Sequence, residues 1–283
     1  MFTIKSRSLS FILVTLVYII ATIVGVLCCA VLPFSLWLNV LLADVIATII
    51  TFIFSLLFKN ASVYDPYWSV QPIVIVIGLA IVYGVNVTAI LAIVAVCIWG
   101  VRLTANWAYT FYGLTHQDWR YTMLSQKTGK FYPIINFIGI HLVPTLVVYF
   151  AVLPLIVLIS VKPEFTPLCL IGFIISICAV ILQGTADVQM HKYKKNRTTL
   201  FIRVGLWKYS RHPNYLGEIL MWWGVGLFSV ALMPSKWWLI AGAIINTLLF
   251  SFVSIPMAEQ KQAKKEGFLE YKKETRLLLP IKK

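Results

Sequence analysis

Eight long apolar runs leave this chain little choice of solvent. They occupy residues 9–32, 35–58, 70–83, 87–108, 134–160, 167–184, 215–232 and 237–255, and most approach the roughly 20 residues a helix needs to cross the hydrocarbon core. Composition agrees: of 283 residues, 60% are hydrophobic and 12% charged, with a mean hydropathy of +0.87, whereas soluble domains are about half apolar. The expected fold is an all-α, polytopic bundle of seven or eight spans forming a single integral membrane domain over 1–283. The third run has only about 14 apolar residues, and the seventh and eighth are joined by a tight turn at 233–236, so either could be re-entrant or broken. The first run is too long for the roughly 7–15 residues of a cleaved leader and should remain as a span. Cys28, Cys29, Cys97, Cys169 and Cys178 all lie in apolar runs, without the paired spacing of a metal site or a disulfide framework, and no metal is expected.

Charge supplies a check on the eight-span reading. If the N-terminus faces the cytoplasm, 22 of the 24 lysines and arginines fall on that side and only Lys162 and Lys236 on the other, the bias that short loops show. The inner set begins with Lys5, Arg7 and Lys59 and is densest in 192–211 and after Glu259. Both termini are therefore expected in the cytoplasm, with 257–283 as a cytoplasmic tail. The net charge of +14 follows from this topology and from attraction to anionic lipid head groups, so membrane lipids rather than nucleic acid are the expected partners.

Polar chemistry gathers in four segments on the inner side: 60–69, 102–132, 183–214 and the tail. In the first, Asp65 stands among Tyr64, Tyr67 and Trp68, either as a functional acid or as the cap of the next helix within an aromatic belt. Arg102 and Asn106, four apart, share a helix face; Arg102 either points into a polar cavity or snorkels to the head groups. Asp118-Trp119-Arg120-Tyr121 follows. Gln183, Asp187, His191 and Lys194, spaced 4, 4 and 3, would form a hydrogen-bonding stripe if their helix continues past the membrane. The stretch 205–218 is the most informative. Pro213 suits the first turn of a helix with His212 at the cap position, which puts helix N-terminal amides beside Arg211 as an anion site. Asn214 and Glu218 then share the face just inside, where a carboxylate should have a partner or a ligand. Asp44, toward the outer half of the second span, is expected to be a hydrogen-bonded or protonated structural residue far from the inner cluster, because no second ionisable group is expected at its depth.

These residues resemble the membrane steroid 5-alpha-reductase superfamily and, within it, the DUF1295 branch. The resemblance rests on 205–218, on 183–189 with Asp187, on Asp65 to Trp68 and Arg120-Tyr121, and on Glu259, Tyr271, Thr275 and Pro280 in the tail; the similar region runs over 59–280. Isoprenylcysteine and phospholipid methyltransferases of membranes share a pattern similar to Arg211-His212-Pro213-Asn214-Tyr215, and Asp187 tips the choice. The resemblance implies a bundle with a cytoplasm-facing cofactor pocket in a bacterial inner membrane, and NADPH-dependent reduction of a carbon–carbon double bond conjugated to a carbonyl in a steroid-like or other lipid substrate. It implies a cofactor-binding set of Gln183, Asp187, Lys194, Arg211, His212, Asn214, Tyr215 and Glu218, joined by Arg102, Arg120, Glu259 and Tyr271. Phosphates would take the basic loop and helix N-terminus. In the family a glutamate and a tyrosine on early spans polarise the carbonyl. This sequence has no clear copy of that pair at matching positions, and Asp65 with Tyr67 or Tyr64 is the expected substitute.

Two other classes remain open. An S-adenosylmethionine-dependent membrane methyltransferase would use the same helix start, but its cofactor carries no phosphates for the basic loop. A transporter or scaffold would more often show repeated halves and ionisable groups near the midplane. No Gly-x-Gly-x-x-Gly turn opens a βαβ unit, so a soluble dinucleotide domain is not expected.

Overall fold

The computed structural model describes residues 6–282, so Lys5, counted above among the inner charges, lies outside the described residues, as does Lys283. The described chain is mostly helical, with one isolated bridge, Ser210 to Arg276, and no named strand among the described residues. In chain order the α-helices are α1 Arg7–Val31, α2 Leu36–Leu57, α3 Tyr67–Tyr83, α4 Val87–Thr110, α5 Trp119–Thr128, α6 Tyr132–Ile135, α7 Val143–Val161, α8 Cys169–Lys195, α9 Pro213–Leu232, α10 Ala241–Leu249, α11 Ile255–Gln262 and α12 Phe268–Glu274. Short 3-10 turns precede α3 (Ala61–Tyr64) and α10 (Pro234–Ile240), and π-helical segments fuse α6 to α7 (Asn136–Leu142) and α10 to α11 (Phe250–Ser254).

Among the described residues eight helical stretches are long and apolar enough to cross a membrane, which resolves the expected seven or eight to eight. The doubtful third span is 23 residues, Ala61–Tyr83. It begins nine residues earlier than hydropathy suggests because Asn60 to Tyr64 are all buried and helical turns start at Ala61. The aromatic belt expected there is therefore corrected: Tyr64 and Tyr67 are core residues. The helix cap expected of Asp65 is corrected too, since Pro66 occupies the N-cap of α3 and no side chain caps it. The spans on either side of 233–236 are both full length, 20 and 29 residues.

The chain divides into two compact units, Met1–Val85 with Gly100–Val161, and Asn86–Trp99 with Lys162–Lys283. In the first unit Ser6 caps α1 by accepting from the Leu9 amide, and α1 packs along α2. Val14 and Val17 meet Val63, Phe111 and Leu114, and Ala21 and Ala47 meet Tyr64 and Tyr67. Helix α7 packs on α2 and α3. Gly100 of α4 lies against the Ser69 carbonyl, where an added Cβ would come within 2.6 Å, and the Ser69 and Thr104 hydroxyls bond at 2.9 Å.

In the second unit α8 and α9 run in backbone contact. A Cβ on Gly172 would lie 2.4 Å from the Phe228 amide, and one on Gly217 would lie 2.6 Å from the Gln183 Cβ. Small residues commonly permit such approach between membrane helices, where dispersion and interhelical hydrogen bonds take the place of the hydrophobic drive. As expected, α8 carries the 183–194 stripe past the apolar run to Lys195, and α9 starts at Pro213 with His212 as N-cap.

Candidate functional site

Each unit holds a buried polar cluster. In the first unit α2 contributes Asp44, α3 contributes Tyr67 and Gln71, and Tyr64 comes from the turn before α3. The Tyr67 hydroxyl donates to Asp44 Oδ1 at 2.8 Å and Gln71 Nε2 donates to Asp44 Oδ2 at 2.7 Å. Both oxygens of the carboxyl are thus held by side chains four apart on one helix face. Tyr64 bonds Thr145 of α7 at 2.8 Å, Thr145 bonds Thr48 of α2 at 2.9 Å, and the Tyr64 and Tyr67 rings lie 5.2 Å apart.

Two expectations are corrected by this arrangement. Asp44 is not remote from the segment 60–69, because the early start of the third span carries Tyr67 back to its level. The carboxyl partner of Tyr67 is Asp44 rather than Asp65. Asp65 instead accepts from the Tyr121 hydroxyl at 2.6 Å and lies close to Ser62 and Arg120. Arg120 pairs with Asp118 through two bonds, Nε to Oδ1 at 2.8 Å and Nη2 to Oδ2 at 3.1 Å, and Asp118 also caps α5. Asn60 donates to the Leu114 and His116 carbonyls. The Asp65 and Arg120-Tyr121 signatures therefore meet in space as a fastening between the start of the third span and the start of α5. Arg102 is half-buried on α4.

The second cluster surrounds Glu218. Trp99 and Gln183 donate to its Oε2 at 2.9 and 2.8 Å, and Trp222 donates to Oε1 at 2.9 Å. The partner expected for a carboxylate inside a span is present three times over. Gly217 brings the α8 backbone close enough for the Gln183 bond. Since the carboxyl fixes which end of the Gln183 amide faces it, Gln183 Oε1 is left buried without a hydrogen-bond partner.

At the start of α9 the groups expected to meet an anion are bound to the tail. Arg211 Nε donates to Glu259 Oε1 at 2.9 Å, and its Nη1 bonds the carbonyls of Lys272 (3.2 Å) and Thr275. His212 Nε2 reaches the same Glu259 oxygen at 2.9 Å, Lys272 pairs with Oε2 at 3.4 Å, and the His212 and Tyr215 rings stack at 5.2 Å. Tyr271 donates to the Trp207 carbonyl at 2.5 Å and packs with Phe201 and Phe268; burial pushes its phenol up to about 12. Asp187 and Asn214 are half-buried and Lys194 is exposed, as are Lys192, Lys195, Arg197, Arg203 and Lys208.

Sequence reasoning missed Gln71, Thr48, Thr145, Asn136, His141, Trp99 and Gln189. The last of these accepts from the Leu206 amide at 2.9 Å and fills the space beside Gly205, whose φ of +60° favours glycine.

Eight spans with carboxyls buried among hydroxyl, amide and indole donors define an α-helical integral membrane protein with polar interior sites. The chain belongs to the DUF1295 family, described as proteins of unknown function, whose model matches residues 51–275. No curated protein and no solved structure matches it.

Proposed function

We propose that this protein is a membrane-bound, NADPH-dependent reductase of a conjugated carbon–carbon double bond in a steroid-like or other lipid substrate. The observation that carries the reading is the Asp44–Tyr67 bond at 2.8 Å, with Gln71 on the other carboxyl oxygen. Reduction of an enone builds negative charge on the carbonyl oxygen, which calls for an O–H donor fixed in place beforehand. Tyr67 is that donor in this reading, its O–H turning from Asp44 to the carbonyl oxygen when substrate binds; Asp44, itself held by Gln71, is the positioning residue that orients the phenol beforehand. Asp65 takes the structural role of anchoring Tyr121, and Tyr64 backs Tyr67 through ring contact and its bond to Thr145.

The second unit fits a phosphorylated dinucleotide in part. The buried, unpartnered Gln183 Oε1 suits an amide N–H of a carboxamide, half-buried Asp187 and Asn214 suit ribose hydroxyls, and Lys194 with the exposed cations of 192–208 suits phosphates. NADPH, when bound, would supply the hydride. Arg211, His212 and Glu259 hold the tail, Glu218 orients Gln183, and Tyr271 braces the 3-10 turn Gly205–Lys208 that carries Trp207. The cytoplasm would be the side from which the cofactor enters.

Calorimetry on the detergent-purified full chain, titrated with NADPH, NADH and S-adenosylmethionine, tests the reading. NADPH should bind selectively, and Asp187→Ala and Asn214→Ala should each weaken it about tenfold, the loss of one good hydrogen bond. Binding of S-adenosylmethionine alone would transfer the protein to the methyltransferases, and binding of none would remove the cofactor assignment.

A further inference from the structure

The π-helical segment Asn136–Leu142 sits inside a span and carries two polar residues that no reading above uses. A π turn is closed by i→i+5 bonds, here Val143 N–H to Ile138 O, and it stacks residues five apart. On an α-helix the same spacing would turn them about 140° away from each other. The widened turn therefore places Asn136 and His141 on one face. Their contacts agree: Asn136 Nδ2 donates to Ser55 of α2 at 3.2 Å, and the His141 ring meets Phe52, one turn earlier on α2, at 5.5 Å. The His141 ring also lies 4.7 Å from that of Tyr64.

Hydrogen-bonding capacity identifies what the face lacks. His141 Nδ1 is 3.0 Å from the Asn136 carbonyl; a carbonyl only accepts, so Nδ1 carries the proton and Nε2 presents its lone pair. Nε2 is buried with no partner, and so is Asn136 Oδ1. Both residues are almost fully buried, at 0% and 2% exposure. Leaving such atoms unmet costs the desolvation of each with nothing in return, and π turns recur at functional sites. The two open positions are both acceptors, carried on the same face, so what completes them must bring a donor to each.

We propose that the π turn is a binding site for the diol head of a lipid-like molecule, one hydroxyl donating to His141 Nε2 and its neighbour to Asn136 Oδ1. The inference rests on the first unit alone and stands whatever cofactor the second unit takes. The same two donors could come from one ordered water, and the experiment separates these sources.

The full-length protein in detergent is photo-crosslinked with a monoacylglycerol bearing a diazirine in its acyl chain, in parallel with the same molecule methylated on both hydroxyls, and labelled peptides are mapped by mass spectrometry. The diol should label the 132–145 and 52–64 peptides at least about tenfold more than the ether. His141→Leu and Asn136→Leu should each remove most of that excess, and His141→Gln, which restores an acceptor, should retain it. The diol–ether comparison needs no variant, so a folding defect cannot mask the result. Equal labelling by diol and ether, or no labelling of these peptides, overturns the proposal. A density map of diol-saturated protein with only a water at His141 Nε2 overturns it in favour of that water.

Discussion

Glu218 and Asp44 are both acids carried into apolar spans, yet their surroundings differ in kind. Around Glu218 two indoles and an amide supply three N–H donors to the two oxygens. Indole N–H groups are fixed in direction and can only donate. Around Asp44 the donors are a phenol, which can turn and can also accept, and an amide, which can flip. One carboxyl has a single-option indole on each of its oxygens, and the other is held only by partners that can rearrange. A group that must act on a ligand belongs to the second kind, and a group that ties helices together belongs to the first.

The contrast can be broken at several points. Tyr67→Phe removes the proposed donor to the carbonyl oxygen, and turnover should fall about 10²–10³-fold with little change in NADPH affinity; steady-state kinetics on an enone lipid checks this, and near-normal turnover would take Tyr67 off the reaction. Glu218→Gln should lower stability by about 2–3 kcal/mol, because either orientation of the new amide sets an N–H against an indole N–H that cannot turn. Thermal unfolding in detergent measures it, and an unchanged midpoint would mean that the three donors are not needed. Asp44→Asn should cost only about 1 kcal/mol in the same assay, since Gln71 can flip to accept from the new amide while Tyr67 keeps its acceptor. Asp65→Asn should change stability by less than about 1 kcal/mol and leave turnover intact, the Tyr121 hydroxyl still finding an oxygen; lost turnover would return Asp65 to the catalytic group. The smallest effect concerns the tail. With the Tyr271 phenol raised to about 12, its contribution should be complete below its unfolded value of about 10 and fade as pH climbs toward 12. Proteolysis of the tail should rise over that window in the parent and show no such rise in Tyr271→Phe.

Part of the first cluster was legible without coordinates. Asp44, Thr48, Thr51 and Ser55 are spaced 4, 3 and 4 along α2, a polar stripe on one helix face, and Tyr67 and Gln71 repeat the spacing on α3. Reading the third span from Val70 hid the connection, because hydropathy counts the tyrosines and serines of 62–69 as interface when packing against α1, α2 and α7 buries them. The eight spans, the continuation of α8 and the start of α9 at Pro213 were readable, each resting on local patterning. The bonds that define Glu218 were not, for Trp99 lies 119 residues away in sequence. The same holds for Arg211, whose partners in the tail are 48 to 64 residues distant, and for the π turn, which leaves no periodic trace in so apolar a run.

The contact of α8 with α9 limits which motions the second unit can make. A Cβ added at Gly172 or Gly217 would come within 2.6 Å of the facing helix, so neither helix can roll or slide a larger residue into those positions without collision. The pair packs as one close hairpin whose helices end at Lys195 and begin again at Pro213. Any opening at that end is left to the seventeen-residue bridge between them, pinned to α8 where Leu206 donates to Gln189 and Trp207 to the Ala186 carbonyl. Mechanically the unit is a rigid fork with a hinged strap, and substitution of either glycine should stiffen nothing further but force the tines apart.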